Sequence, residues 1–184
     1  MKTRLMQSLV VTVLVMLACG LGAQAASGST HTGSVPQGAA ADPLPLKGSL
    51  EGLHVSRTPL APPVVFDRFE TEGQATHLGR FDLVIEATVD FGSRPVRGTG
   101  TYTFTSANGD HLVADHTGFS TLVEPGTVLI TEHATIDPDR STGRFAGAEG
   151  TFTVTRLADA ATGVGGLTAG AFEGTISLPM ASGS

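Results

Sequence analysis

The chain has 184 residues, with 11 Lys and Arg against 17 Asp and Glu and a net charge of −6. This length suits one domain once the ends are trimmed. The sequence has no basic stripe with interleaved aromatic residues, which argues against a surface that binds nucleic acid.

The first 25 residues have the pattern of a secretory signal peptide. Lys2 and Arg4 give a basic start, residues 9–17 are almost all apolar, and residues 23–25 read Ala-Gln-Ala, a small-x-small cleavage sequence. The apolar run is shorter than the roughly 20 residues of a membrane-spanning helix. We therefore expect cleavage after Ala25, a secreted or periplasmic protein and no membrane span, with an N-terminal anchor as the alternative.

Cys19 offers a second way of processing the leader. Residues 16–19, Met-Leu-Ala-Cys, are similar to a lipobox, in which the cysteine becomes a lipidated N-terminus. Met16 stands where leucine is usual, and the Ala-Gln-Ala sequence follows just downstream, so cleavage after Ala25 is preferred. That cleavage leaves no cysteine, and stability then depends on a packed core.

Composition divides the rest of the chain into a tether and a domain. Residues 26–46 are rich in Ala, Gly, Ser, Thr and Pro and have few large apolar side chains, which is typical of a flexible tether. Residues 47–184 are predicted to form the folded domain. It includes a proline-marked break at 58–63 and a succession of strands and turns from Phe66 to Leu178.

Strict alternation of apolar and polar residues predicts strands. Within residues 81–91 every odd position is apolar and the even positions are mostly polar, which indicates one face in a core and one in water. The same alternation recurs in four later segments, residues 98–105, 127–136, 146–157 and 170–178.

Turn residues separate the strands and suggest how the sheet closes. Asn108-Gly109 predicts a type I′ hairpin turn, and residues 137–143 predict another reversal. Glycines recur inside the strands, as expected where a barrel bends: Gly98, Gly100, Gly118, Gly147, Gly150 and Gly174. With no helical period, the domain is predicted to be all-β, a closed antiparallel eight-stranded β-barrel.

Three segments carry a resemblance to a known family. Residues 73–81, 103–112 and 142–150 resemble, in this order, a bacterial family of secreted proteins of uncharacterised function. That family is similar to the allene oxide cyclase and dirigent barrels of plants, so the resemblance implies an eight-stranded barrel that forms a homo-oligomer. Arg140-Ser141 replaces the family's usual Gly-Gly before Thr142, and no plant catalytic residue can be transferred onto this chain.

Glu132 and Arg156 are charged residues at positions predicted to point inward. Glu132 is in phase with the apolar positions of residues 128–136, and Arg156 with Phe152 and Val154. A lone buried charge is costly, so each of the two residues predicts a partner. One hypothesis is that they line a cavity and polarise a ligand, with Glu132 as the candidate catalytic residue. The preferred alternatives are a bulge that turns one of them outward, or a structural ion pair near the barrel mouth.

Two further residues are candidate ligand-binding groups. His77 is in phase with Phe69 and Ala75 and is predicted to face inward, where imidazole would orient a ligand or transfer a proton. The alternative is a histidine bonded to the main chain at a strand end. Tyr102 shares the predicted inner face of its strand with Phe104.

No metal site or cofactor is predicted. Asp110, His111, Asp115 and His116 lie close in sequence, but alternation sends His111 and Asp115 to one face and the other two to the opposite face. Asp137-x-Asp139 resembles the start of a calcium loop, yet Ala148 stands where a glutamate ligand is needed. A solvated strand and a turn are the preferred interpretations.

The absence of hydrolase motifs limits the function classes. The sequence has no Gly-x-Ser-x-Gly and no His-Glu-x-x-His. We expect a non-catalytic secreted barrel that binds a small apolar ligand or a partner. The alternatives are a cyclase or isomerase resembling allene oxide cyclase, in which Glu132 supplies the electrostatics, and a structural cell-envelope protein.

Overall fold

The computed structural model describes residues 42–179, which form a closed barrel of eight antiparallel strands. This confirms the predicted fold class. The predicted signal peptide, its predicted cleavage after Ala25, Cys19 and most of the predicted tether lie outside the described residues. No helix within residues 42–179 is long and apolar enough to cross a membrane.

Each strand pairs with its neighbours in sequence, and β8 pairs with β1 to close the sheet. The strands are β1 (Leu44–Pro59), β2 (Val64–Ala75), β3 (Gly79–Asp90), β4 (Val96–Ser106), β5 (His111–Glu124), β6 (Thr127–Ile136), β7 (Glu149–Asp159) and β8 (Leu167–Ser177). The closed end of the barrel is defined by the connections 76–78, 107–110 and 137–148, and the open end by 60–63, 91–95, 125–126 and 160–166.

Strand β1 was not predicted, and the tether boundary at residue 46 was wrong. Residues 44–46 already belong to β1 and pair with β8. The inward positions of β1 alternate between large residues, such as Leu46 and Leu50, and the glycines at 48 and 52. Because glycine gives no apolar signal, the period of two is hidden in the sequence.

The turns of the closed end differ in detail from the prediction. Asn108-Gly109 does lie in the β4–β5 hairpin, but of the two only Gly109 has a positive φ, 87°. The Gly109 amide donates to the Ser106 carbonyl at 2.8 Å. This is the pattern of a three-residue loop whose last residue is a glycine, so the predicted type I′ turn is wrong.

A short 3₁₀ helix, Gly143–Phe145, lies in the β6–β7 connection, where only a reversal was predicted. Gly143 has a φ of 58°, and a Cβ atom there would overlap the Asp110 carboxylate. The helix places Phe145 in the core with no exposed surface. Strand β7 therefore begins at Glu149, three residues after the predicted start.

The alternation in β3 is confirmed, since Phe81, Leu83, Ile85 and Ala87 are all buried. Interior side chains from several strands form an aromatic cluster, in which successive ring centroids lie 5.2–6.0 Å apart. Its members are Phe81, Tyr102, Phe104, Phe152 and Phe172. Such offset aromatic pairs contribute packing beyond their buried area. The cluster fills the half of the barrel nearer the closed end.

Gly100 on β4 shows why the barrel requires glycine at particular inward positions. A Cβ atom at Gly100 would lie 1.9 Å from the Glu86 carbonyl oxygen of the neighbouring strand. At Gly98, on the same strand and face, the nearest atom would be 3.7 Å away. The main chains of β3 and β4 therefore approach too closely for a side chain at 100 but not at 98.

Gly100→Ala should destabilise the barrel by about 1–3 kcal/mol, because β3 and β4 must separate to admit the methyl group. Gly98→Ala is the matched control and should change the free energy of unfolding by less than about 0.5 kcal/mol. Urea unfolding followed by circular dichroism measures both. Equal midpoints for the two variants would contradict the close approach at Gly100.

Candidate functional site

A cavity of about 170 Å³ occupies the half of the barrel nearer the open end. Its walls are mostly apolar, and its rim includes residues of the open-end loops, such as Phe91 and Gly163. The apolar wall residues come from β2 to β7 and are Phe69, Ala87, Val89, Val96, Phe119, Val128, Ile130 and Ala158.

Glu132 and Arg156 form an ion pair where the cavity meets the filled half of the barrel. Arg156 Nε donates to Glu132 Oε2 at 3.0 Å, and Arg156 Nη2 donates to Oε1 at 3.3 Å. Both residues are almost completely buried, with exposed fractions of 4% and 2%. They lie on the adjacent strands β6 and β7, where Glu132 is opposite Val154 and Arg156 opposite Ile130.

Two hydroxyl groups complete the ion pair. The Tyr102 hydroxyl donates to Glu132 Oε2, and Arg156 Nη1 donates to Thr168 Oγ1 at 3.1 Å. Thr168 in turn donates to the Leu157 carbonyl at 2.9 Å. Each buried charge therefore has a hydrogen bond to a hydroxyl group as well as to its counter-ion, which helps to offset its burial.

The pKa values follow from this arrangement. Burial favours the neutral carboxyl, but the Arg156 guanidinium outweighs burial and lowers the pKa of Glu132. Burial likewise opposes the charge on Arg156, yet the Glu132 carboxylate leaves its pKa raised. Burial and the neighbouring carboxylate raise the pKa of Tyr102 well above its ordinary value. The site therefore holds a carboxylate, a guanidinium and a neutral phenol.

Glycines on neighbouring strands make room for the two charged side chains. Gly118 of β5 is the register partner of Glu132, and Gly170 of β8 is the partner of Arg156. Cβ atoms there would lie 2.6 Å from Glu132 Cγ and 2.5 Å from Arg156 Cβ. Placing the charges inside the barrel thus depends on missing side chains next to them.

His116 is a buried residue that lies against the ion pair. Its ring lies 4.5 Å from the Tyr102 ring, and Nδ1 is 3.6 Å from Glu132 Oε1. Neither ring nitrogen has a hydrogen bond within residues 42–179. Burial lowers the pKa of His116, and Arg156 adds to this effect, whereas the Glu132 charge opposes it.

A second polar group lines the cavity from β1 and β2. His54 Nε2 lies 2.9 Å from the Ser56 carbonyl oxygen and 3.2 Å from Asp67 Oδ1, so this nitrogen carries the donated hydrogen. Arg57 binds Asp67 through two hydrogen bonds of 2.7 Å. Phe69 lies between the two polar groups, with His54 stacked at 4.6 Å and the Arg156 guanidinium 4.6 Å from its ring.

Glu132 and Arg156 lie where alternation predicts. They form an ion pair and also line the cavity, but the pair lies at the cavity floor and not near the barrel mouth. Tyr102 is fully buried and reaches the cavity floor through its bond to Glu132, but it is not among the cavity-lining residues. Its role and those of the ion pair in ligand binding stay predictions.

The expectation that His77 faces inward is wrong. The alternation of β2 stops at Ala75, and His77 lies in the turn of residues 76–78 with a φ of 65°. This turn is at the closed end, on the opposite side of the aromatic cluster from the cavity. His77 is not among the residues that line the cavity.

Three residues of this region were not recognised from the sequence. His54 lies in the unpredicted strand β1. Asp67 lies two positions before the inward-facing Phe69, so alternation indicates that Asp67 also faces inward. His116 is in phase with Leu112 and Ala114 on β5, but it was interpreted as part of a solvated strand. For Asp67 and His116 the signal was present, namely a polar residue in an inward phase.

The acidic residues and histidines near His116 are dispersed. Asp115 points outward and pairs with Arg140 at 2.5 Å, while His116 points into the barrel. Residues 42–179 contain no group of three or more His, Cys, Asp or Glu side chains arranged to hold a metal ion.

Comparison of the chain with protein-family models, curated proteins and solved structures gives no match. The resemblance to the bacterial secreted family and to the plant barrels stays a prediction. Function must therefore be inferred from the cavity and the residues that line it.

Removing one charge of the ion pair should be far more damaging than removing both. Arg156→Met leaves a buried carboxylate without a counter-ion and should cost about 3–5 kcal/mol of unfolding free energy. Glu132→Gln/Arg156→Met should recover much of this loss. Arg80→Met is the control, since Arg80 lies 4.0 Å from Glu72 on the surface. It should change the free energy of unfolding by less than about 0.5 kcal/mol. A loss no larger than that of the control would refute the buried pair.

His116 should make the barrel less stable in mild acid. Its pKa is lowered in the folded protein and near 6.5 in the unfolded chain. Stability should be complete above about pH 6.5 and fall as the pH decreases towards the folded pKa, because only the unfolded chain takes up the proton. The lowered pKa of Glu132 adds a separate loss below about pH 4.5, where an unfolded glutamate begins to protonate.

Urea unfolding between about pH 5.5 and 7.5, a range that spans the unfolded histidine pKa, tests this expectation. His116→Phe keeps an aromatic ring beside Tyr102 and should flatten the dependence of stability on pH. His133→Asn, at an exposed position, should leave it unchanged. A wild-type slope in the His116 variant would show that other groups cause the effect.

Proposed function

We propose that this protein is a secreted barrel that binds one small, mainly apolar molecule in the open-end cavity. The observation that carries the proposal is the cavity itself, apolar on its walls and polar at its floor. The leader pattern of residues 1–25 supports an exported protein.

The division of the barrel into a filled and an empty half supports a binding role. Protein interiors are normally packed as densely as organic crystals. Here five aromatic rings fill one half, while small residues, among them Ala87, Gly98, Gly118 and Ala158, line the other. An eight-stranded barrel has an interior that side chains can fill or that can hold one small ligand.

The volume of the cavity limits the size of the ligand. About 170 Å³ is well below the roughly 300–1,000 Å³ of pockets for drug-sized molecules. Cavities of about 150 Å³ in proteins hold a molecule the size of benzene. The buried part of the ligand is therefore about one ring in size, and any longer part extends through the open end.

A second candidate function is that of a cyclase or isomerase, and the position of Glu132 at the cavity floor favours it. Such an enzyme needs only a charge placed beside a confined substrate. Binding ranks first because Glu132 already accepts hydrogen bonds from Tyr102 and Arg156, and its lowered pKa makes it a weak base.

Filling the cavity should abolish binding without disturbing the fold. Ala158→Leu places a larger side chain in the cavity, whereas Ala171→Leu makes the same change on the exposed face of β8. Ethylbenzene titrated into labelled protein should shift the amide resonances of Val89 and Ile130 saturably in the wild type and the Ala171 variant. The Ala158 variant should show no such shifts.

Native mass spectrometry of protein purified from its own host complements this titration. A molecule that accompanies the wild type and the Ala171 variant but not the Ala158 variant would support binding. Conversion of that molecule to an isomer of equal mass by fresh protein would favour the second candidate. If ethylbenzene binds the Ala158 variant as well as the wild type, the cavity is not the site.

A further inference from the structure

We infer that the cavity takes an uncharged ligand with one oxygen acceptor, such as a carbonyl, that bonds to Arg156. This inference rests on the proposed function and specifies the chemical class of the ligand. It is carried by the balance of charges around the cavity and by the hydrogen bonds that Arg156 leaves unused.

The charged side chains around the cavity balance. Apart from histidine, they are three arginines and three carboxylates, whereas the whole chain has a net charge of −6. They are Arg57, Arg97, Arg156, Asp67, Glu132 and Asp159.

The two carboxylates at depth, Glu132 and Asp67, are each paired with an arginine. Both are buried, with exposed fractions of 4% and 2%. A charged ligand in the cavity would lose its hydration and find no unpaired counter-ion at depth, which is costly. The site therefore selects against both carboxylate and ammonium ligands.

Arg156 retains hydrogen-bonding capacity. A guanidinium has five N–H groups. Three donate to Glu132 and Thr168. The Tyr102 hydroxyl also lies close enough to the guanidinium to raise the pKa of Arg156. Even if the hydroxyl oxygen accepts a fourth N–H, one donor is left, and Arg156 lines the cavity. A ligand oxygen is the group that satisfies it.

The surroundings of Arg156 favour a ring beside that oxygen. The Phe69 ring covers one face of the guanidinium, with its centroid 4.6 Å from Arg156 Cζ. Val128 and Ile130 also line the cavity. An apolar ligand body is buried against these side chains, while its oxygen accepts the remaining Arg156 N–H at the floor. Acetophenone has this combination of groups and is the size of ethylbenzene.

Four single-ring probes test the inference at about pH 7.5, where benzoate is an anion and benzylamine a cation. Calorimetry or ligand-observed NMR should show that acetophenone binds at least about tenfold more tightly than benzoate or benzylamine, since only the charged probes must bury an unpaired charge. Ethylbenzene should bind without any dependence on Arg156.

The Arg156 contribution is measured in Glu132→Gln/Arg156→Met, which removes both charges and so keeps the barrel free of an unpaired one. The preference for acetophenone over ethylbenzene should fall by about tenfold in this variant, because a hydrogen bond from a charged donor is lost. Arg80→Met, on the outer surface, is the control and should keep the wild-type preference.

The two proposals fail in different ways. If none of the four probes binds, the cavity is not a ligand site and both proposals fall. If ethylbenzene binds but benzoate or benzylamine binds as tightly as acetophenone, the proposed function stands and the uncharged class is wrong. An acetophenone preference that survives in the double variant would exclude Arg156 as the donor.

Discussion

The burial of Arg156 and Glu132 is the constraint on which the rest of the barrel depends. Two opposite charges can remain in a low-dielectric interior only if they meet with good geometry and their remaining groups find partners. Tyr102 and Thr168 supply those partners, and Gly118 and Gly170 supply the space. The register of β5 to β8 is thereby fixed, since a slip of one residue would turn both charges out of the barrel.

This polar layer separates two halves of the interior with different properties. On one side five aromatic rings pack against each other and leave no room for a ligand. On the other, glycine and alanine at inward positions leave the cavity open towards the loops. The interior is thus filled at the closed end and empty at the open end, and the proposed binding function depends on this division.

Most of the fold was predictable from the sequence, and the reasons for the exceptions are physical. Strand β3 buries apolar side chains at every second position from Phe81 to Ala87, so alternation reveals it. In β1 glycines occupy alternate inward positions because the neighbouring main chain is close. The apolar–polar alternation of the sequence cannot reveal this close approach. Phase identified Glu132 and Arg156, but their pairing depends on register. The inward phase of β2 ends where the chain turns, so alternation could not place His77.

The pKa values of the groups at the cavity floor distinguish this site from one suited to acid–base catalysis. Proton transfer requires a group whose pKa lies near the working pH, whereas Arg156 lowers the pKa of Glu132 and burial raises that of Tyr102. His116 lies behind the ion pair and does not line the cavity. At neutral pH the Glu132 carboxyl is thus ionised and the Tyr102 phenol is neutral. Such a floor offers a ligand a constant pattern of hydrogen-bond donors and acceptors, which is what selective binding of an uncharged molecule requires.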